Sequence, residues 1–128
     1  MKLSDFELEV MHLFWQEGEV IVPDLHAAIA AERKVSYSTV KTIVDRLEEK
    51  GAVKRIRTYG RTILYGAAIT QDDISRPLVK DFMHRLFNGS IRPMISHVLA
   101  DEELSMDDLA FLETVIAKKK KLKQEGDA

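Results

Sequence analysis

The chain has no cysteine. That excludes a disulfide scaffold, a zinc ribbon and a thiol nucleophile, and it suits a reducing compartment such as the cytoplasm. Long apolar runs are missing too. None approaches the roughly 18 residues that cross a bilayer, and the opening residues Met1 to Asp5 lack a signal-peptide core. The expectation is a soluble cytoplasmic protein with no membrane insertion. Charge of one sign is also lacking. The net formal charge of −2 argues against a protein that coats nucleic acid indiscriminately. Catalytic signatures are absent as well. The histidines, His12, His26, His84 and His97, show neither His-x-x-x-His nor His-Glu-x-x-His spacing. No Gly-rich phosphate loop or nucleophile elbow is present. The expectation is no enzyme, no metal and no cofactor.

What is there is a segregated charge. Between Ala31 and Tyr65 nine lysines and arginines face four acids, a surplus of five. From Asp101 to Glu113 there are six acids and no base. One basic patch on a mildly acidic body is what a site-directed DNA binder requires. The length of 128 residues and 45% hydrophobic content allow a packed domain with a substantial extension, or two small lobes.

The basic patch has internal order. Val40, Ile43, Val44 and Leu47 recur at i, i+3, i+4 and i+7, one apolar stripe of a helix. Ser36 suits its N-cap and Gly51 its terminus. The opposite face carries Tyr37, Ser38, Thr39, Lys41, Thr42, Asp45 and Arg46. A helix entering a major groove needs slim polar groups near its N-terminus, where hydroxyls reach base edges and phosphates. A solvated helix would show a similar face, but Ser and Thr are weaker helix formers than the Glu and Lys expected there. A hairpin follows, with strands over 52–58 and 61–69 and a turn at Tyr59-Gly60. Lys54, Arg55, Arg57 and Arg61 cluster at that turn, placed for flanking phosphates or the minor groove. The candidate DNA-binding residues are Ser36, Tyr37, Ser38, Thr39, Lys41, Thr42, Arg46, Arg57, Tyr59 and Arg61.

Upstream, Ser4 and Glu7 form a capping box for a helix reaching about Gln16. Val20 to Val22 predict a short strand. Pro23 suits the first turn of a second helix that runs to about Arg33, with Leu25, Ala28 and Ile29 inward. Helix, helix, short turn, helix and wing make a winged helix-turn-helix over residues 1–70. Residues 71–128 predict three more helices, capped by Thr70, Ser90 and Ser105. Pro77 either kinks the first of them or marks its true start. The last runs to about Lys123, and its lysines 118–121 read as a solvated helix end. Their apolar positions are Phe82, Met83, Leu86, Phe87, Met94, Ile95, Val98, Leu99, Leu109, Leu112, Val115 and Ile116. One isolated layer of this kind buries little, so its expected cover is the same layer of a second chain. The fold class is thus mostly α with a small β wing, joined to a C-terminal helical dimerisation region.

These features resemble the penicillinase-repressor (BlaI/MecI/CopY) family of bacterial transcriptional repressors. The carriers are Leu3 to Met11 with Trp15, Ser38 to Gly51, Gly60-Arg61 with Tyr65, and Phe87 to Ser90. The resemblance implies a homodimer on palindromic double-stranded DNA, with Ser38, Thr39, Lys41 and Thr42 toward the operator and Arg61 on the backbone. The copper-responsive branch of that family carries a C-terminal cysteine cluster, which this chain lacks. The antibiotic-responsive branch is inactivated by a membrane metalloprotease sensor that cuts in the second helix of the dimer region, typically between Asn and Phe. The matching pair here is His97 and Val98, a candidate proteolytic site of different chemistry. Two other functions use the same frame: a winged-helix repressor released by a small molecule, and a winged helix used for protein interaction. The latter often loses the basic wing and the recognition face, and both are present here.

Overall fold

The computed structural model describes residues 1–126. The first helix, α1 (Asp5–Glu17), starts at a capping box. The Ser4 hydroxyl accepts from the Glu7 N–H at 3.1 Å, and the Glu7 carboxylate accepts from the Ser4 N–H at 2.9 Å, which satisfies two otherwise orphaned donors. Gly18, at φ 86°, closes the helix in a backbone region that L side chains rarely enter. Strand β1 (Glu19–Ile21) leads into α2 (Val22–Ala30), whose first turn holds Pro23. Helix α3 (Tyr37–Glu49) follows, with the Ser36 hydroxyl accepting from the Thr39 N–H at 3.2 Å.

Strands β2 (Val53–Tyr59) and β3 (Thr62–Ala67) form the hairpin. β1 joins its other edge, giving an antiparallel sheet of order β1-β3-β2. The sheet pairs Val20 with Tyr65, so β1 locks the wing to the helices. The β2–β3 register slips between Arg55 and Arg57, leaving Ile56 as the extra residue of a bulge. Gly66 makes room for it, since a Cβ there would stand 3.0 Å from Ile56 Cδ1.

Helices α4 (Gln71–Phe87), α5 (Ile91–Leu99) and α6 (Met106–Gly126) complete the described chain. It divides into two compact units, Met1–Val79 and Lys80 onward, with the division falling inside α4. The core of the first unit joins Val10, Met11 and Phe14 of α1, Leu25 and Ile29 of α2, Val40, Val44 and Leu47 of α3, and Tyr65 of β3. Burying each such side chain contributes roughly 1.5–3 kcal/mol. Trp15 sits at the core's edge and donates its indole N–H to the Ile69 carbonyl at 2.9 Å. In the second unit, no side chain of α5 or α6 is buried, and α4 buries none along its whole length.

Several expectations need correction. The turn is Gly60-Arg61, not Tyr59-Gly60; Tyr59 pairs with Thr62 inside the ladder. Gly60 takes φ 59° at the first central position while Arg61 has no positive φ, the φ pattern of a II′ turn that matches strand twist. Val22 starts α2 instead of ending the strand. Ala28 is exposed, and the buried residues of α2 are Val22, Leu25 and Ile29. Helix α2 stops at Ala30, three residues early, and α6 reaches Gly126, three residues beyond Lys123. The cap expected of Thr70 is present: Thr70 and Asp73 cap α4 reciprocally at 2.9 and 3.1 Å. Pro77 therefore lies within that helix and leaves the Asp73 carbonyl without its ladder donor. Ser90 occupies the N-cap of α5 but its side chain makes no capping hydrogen bond.

Candidate nucleic-acid interface

Helix α3 divides as its periodicity requires. Val40, Ile43, Val44 and Leu47 are buried, while Ser36, Tyr37, Ser38, Thr39, Thr42 and Arg46 are exposed. The two sets stand on opposite sides because the core takes one stripe and leaves the other to solvent. The hydroxyl cluster at the start of the helix is internally organised. Ser36 Oγ lies 2.8 Å from Thr39 Oγ1 and 3.2 Å from Ser38 Oγ. Thr42 donates its hydroxyl proton back to the Ser38 carbonyl at 2.9 Å. Tyr37 packs edge-on against His26, ring centres 5.8 Å apart, and His26 Nε2 reaches the Val35 carbonyl at 2.8 Å. The turn between α2 and α3 is thereby braced on the side where α3 begins.

The cations differ in their freedom. Lys41 pairs with Asp45 one turn along α3, and that hydrogen bond raises the lysine above its ordinary pKa. Arg55 pairs with Glu48 through Nε at 2.8 Å, so β2 is tied to α3 by an ion pair. Arg57 donates to the Tyr59 hydroxyl at 3.0 Å, both side chains lying exposed on the wing. Arg61 stands at the exposed turn and, like Arg46, makes no ion pair among the described residues. A surface with hydrogen-bonded hydroxyls on the helix and arginines on the ribbon offers neutral donors and acceptors beside exposed charge. That is the division of labour between reading bases and holding phosphates.

Among the described residues no three His, Cys, Asp or Glu side chains group as metal ligands would. No described helix is long and apolar enough to cross a membrane.

The sequence profile of the penicillinase repressor family matches residues 3–118. The chain belongs to the penicillinase repressor family. It is similar to the penicillinase repressor of Staphylococcus aureus, 25% identical over 116 residues that cover 91% of each chain. It is also similar to the penicillinase repressor of Bacillus licheniformis, 27% identical over 124 residues, 97% of this chain and 96% of the other. The solution structure of the DNA binding domain of the repressor BlaI matches with a TM-score of 0.51 and 29% identity. It covers 56% of this chain and 87% of its own. The penicillinase repressor match runs through both compact units, so the winged helix and the following helices belong to one family architecture.

Two residues that the sequence reading left out of the site are placed against it. Glu48 holds Arg55, and Tyr65 lies buried beneath Lys41 and Arg55, at 5.9 and 6.0 Å from its ring centre. The i to i+7 spacing of Glu48 and Arg55 crosses a helix end and a turn, where no periodicity rule applies. Nothing in the alternation of β3 singles out Tyr65 as more than core.

Proposed function

We propose that the protein is a DNA-binding transcriptional repressor that grips a palindromic operator as a homodimer. Residues 1–70 serve as the winged-helix reading head, and residues 71–128 serve as the pairing region. The single observation that carries the reading is the exposed hydroxyl face of α3 beside the arginine-bearing wing. Ser38, Thr39 and Thr42 face base edges in the major groove. Ser36, Tyr37, Lys41, Arg46, Arg57, Tyr59 and Arg61 hold the backbone on either side. Pairing is supported by the bare apolar faces of α4 to α6, where Phe82, Leu86, Ile95, Val98, Leu99, Val115 and Ile116 are exposed. Met83, Phe87, Met94, Leu109 and Leu112 are only half-buried. Release follows cleavage in α5 at His97–Val98 by a membrane metalloprotease sensor. Val98 is exposed there, while His97 rests 5.9 Å from the Phe87 ring centre.

Selection of bound fragments from random duplex DNA tests the reading. The expected result is an inverted repeat whose half-sites lie about one helical turn (10–10.5 bp) or a multiple apart. Arg61→Ala should then weaken binding to all duplexes alike and lower the salt slope by about one unit per half-site. Folded, paired protein that shows no preference among duplexes at low ionic strength would overturn the proposal.

A further inference from the structure

A cavity of ≈ 110 Å³ opens where the start of α2, the exposed side of α3 and the wing meet, lined among others by Pro23, Tyr37, Lys41, Arg61, Ile63 and Tyr65. That is well above the roughly 10–15 Å³ a single water needs, so the space can admit a small polyatomic group. Tyr65 is fully buried, yet its hydroxyl meets no hydrogen-bond partner among the described residues. An orphaned buried donor is uncommon, because it forfeits its bonds to water without replacing them. The same ring is flanked by two cations, the Lys41 ammonium and the Arg55 guanidinium. Arg55 is committed to Glu48. Lys41 lines the cavity and is ion-paired to Asp45, and Arg61 lines it with no ion pair among the described residues. No carboxylate lines the cavity. A small space walled by aromatic rings, with two cations and an unanswered hydroxyl around it, calls for a compact acceptor that carries negative charge.

We propose that this cavity seats one backbone phosphate of the duplex, with Lys41 and Arg61 supplying charge and the Tyr65 hydroxyl donating to a phosphate oxygen. The assignment rests on the DNA-binding reading above. The cavity lies at the seam between the helix that would enter the major groove and the wing that would touch the flanking backbone, and a phosphodiester is what passes between them. Lys41 exchanges Asp45 for the phosphate as the complex forms. Asp45 then acts as a placeholder that keeps the ammonium at the cavity in the unbound protein.

Tyr65→Phe removes only the hydroxyl. The full chain and this variant are compared on the selected operator and on an unrelated duplex, across a salt series, with thermal unfolding measured alongside. The variant should unfold at the wild-type temperature or above it, since the orphan is gone. It should bind both duplexes about tenfold more weakly, with the salt slope unchanged because no charge is lost. Lys41→Met should lower the slope as well. Replacing operator phosphates one at a time by neutral methylphosphonates should reveal one position per half-site that weakens the wild type more than Tyr65→Phe, which keeps the charge contacts of Lys41 and Arg61 but has no hydroxyl to lose. If Tyr65→Phe binds as tightly as the wild type, the phosphate seat is overturned while wild-type binding upholds the DNA-binding reading. If the wild type itself binds no duplex, that reading falls and takes the seat with it. If inorganic phosphate raises the unfolding temperature of the wild type but not of Tyr65→Phe, and duplex binding is equal, the cavity takes a free oxyanion and the backbone assignment is overturned.

Discussion

Glu7 shows how much one buried side chain can tie together. Its Oε1 accepts from the Ser4 N–H and, at 2.7 Å, from the Lys50 ammonium, while Oε2 is buried with no partner among the described residues. Lys50 closes α3 and also donates to the Lys2 carbonyl at 2.9 Å. The start of α1 is thus pinned to the end of the helix proposed to read DNA. Burial alone would raise the Glu7 pKa, but the hydrogen bonds from Lys50 and Ser4 outweigh it and hold the carboxyl below its ordinary value. The unfolded chain therefore takes up this proton more readily than the native one. The stability it contributes is complete above the ordinary glutamate pKa and is lost as pH falls through the native value. Glu7→Gln should flatten that acid limb in denaturant titrations at stepped pH, and an unchanged limb would refute the linkage. Lys50→Met leaves the carboxylate buried without its cation. The cost should be about 1–2 kcal/mol, below that of a fully buried pair because Lys50 keeps part of its surface in solvent.

At the scale of the element, α3 and the wing hold what was legible beforehand and what was not. The apolar stripe from Val40 to Leu47 follows from spacing alone, because a helix has one period and the core accepts one face. The state of each hydroxyl does not. Thr42 spends its proton on the Ser38 carbonyl, so in this rotamer it presents only acceptor lone pairs outward, together with its methyl group. It is then suited to an amino group on adenine or cytosine, or to a thymine methyl. Thr42→Val keeps the methyl and removes the acceptor. It should relax discrimination at one base pair per half-site by about 1–3 kcal/mol, read by competition among single-base operator variants. Uniform weakening on every duplex would instead place Thr42 on the backbone. The turn shows the same limit. Gly60 was recognisable as a turn former, but which neighbour shared the turn depended on strand twist and on the bulge at Ile56.

For the whole molecule, the contrast between the two units is the main fact. The first buries 14 apolar residues in one cluster. Beyond it, α5 and α6 bury none, although their sequence is as apolar as a core helix needs at Ile95, Val98, Leu112 and Val115. A second copy of the chain is the proposed cover. Leu112→Asp would place an unpaired charge in that interface, and sedimentation equilibrium should find it monomeric or unfolded where the wild type is paired. An intact dimer would remove Leu112 from the interface.

The order of elements, the capped starts of α1, α3, α4 and α6, and the charge segregation were determined by sequence alone, because caps, helical periodicity and formal charge act over a few neighbouring residues. Tertiary structure decided which cations are already engaged and which hydroxyl is left over. Arg55 meets Glu48, Lys50 meets Glu7, and Tyr65 meets no acceptor. Each of these depends on how a strand or helix end lies against another element, a relation set by packing of the core rather than by spacing along the chain.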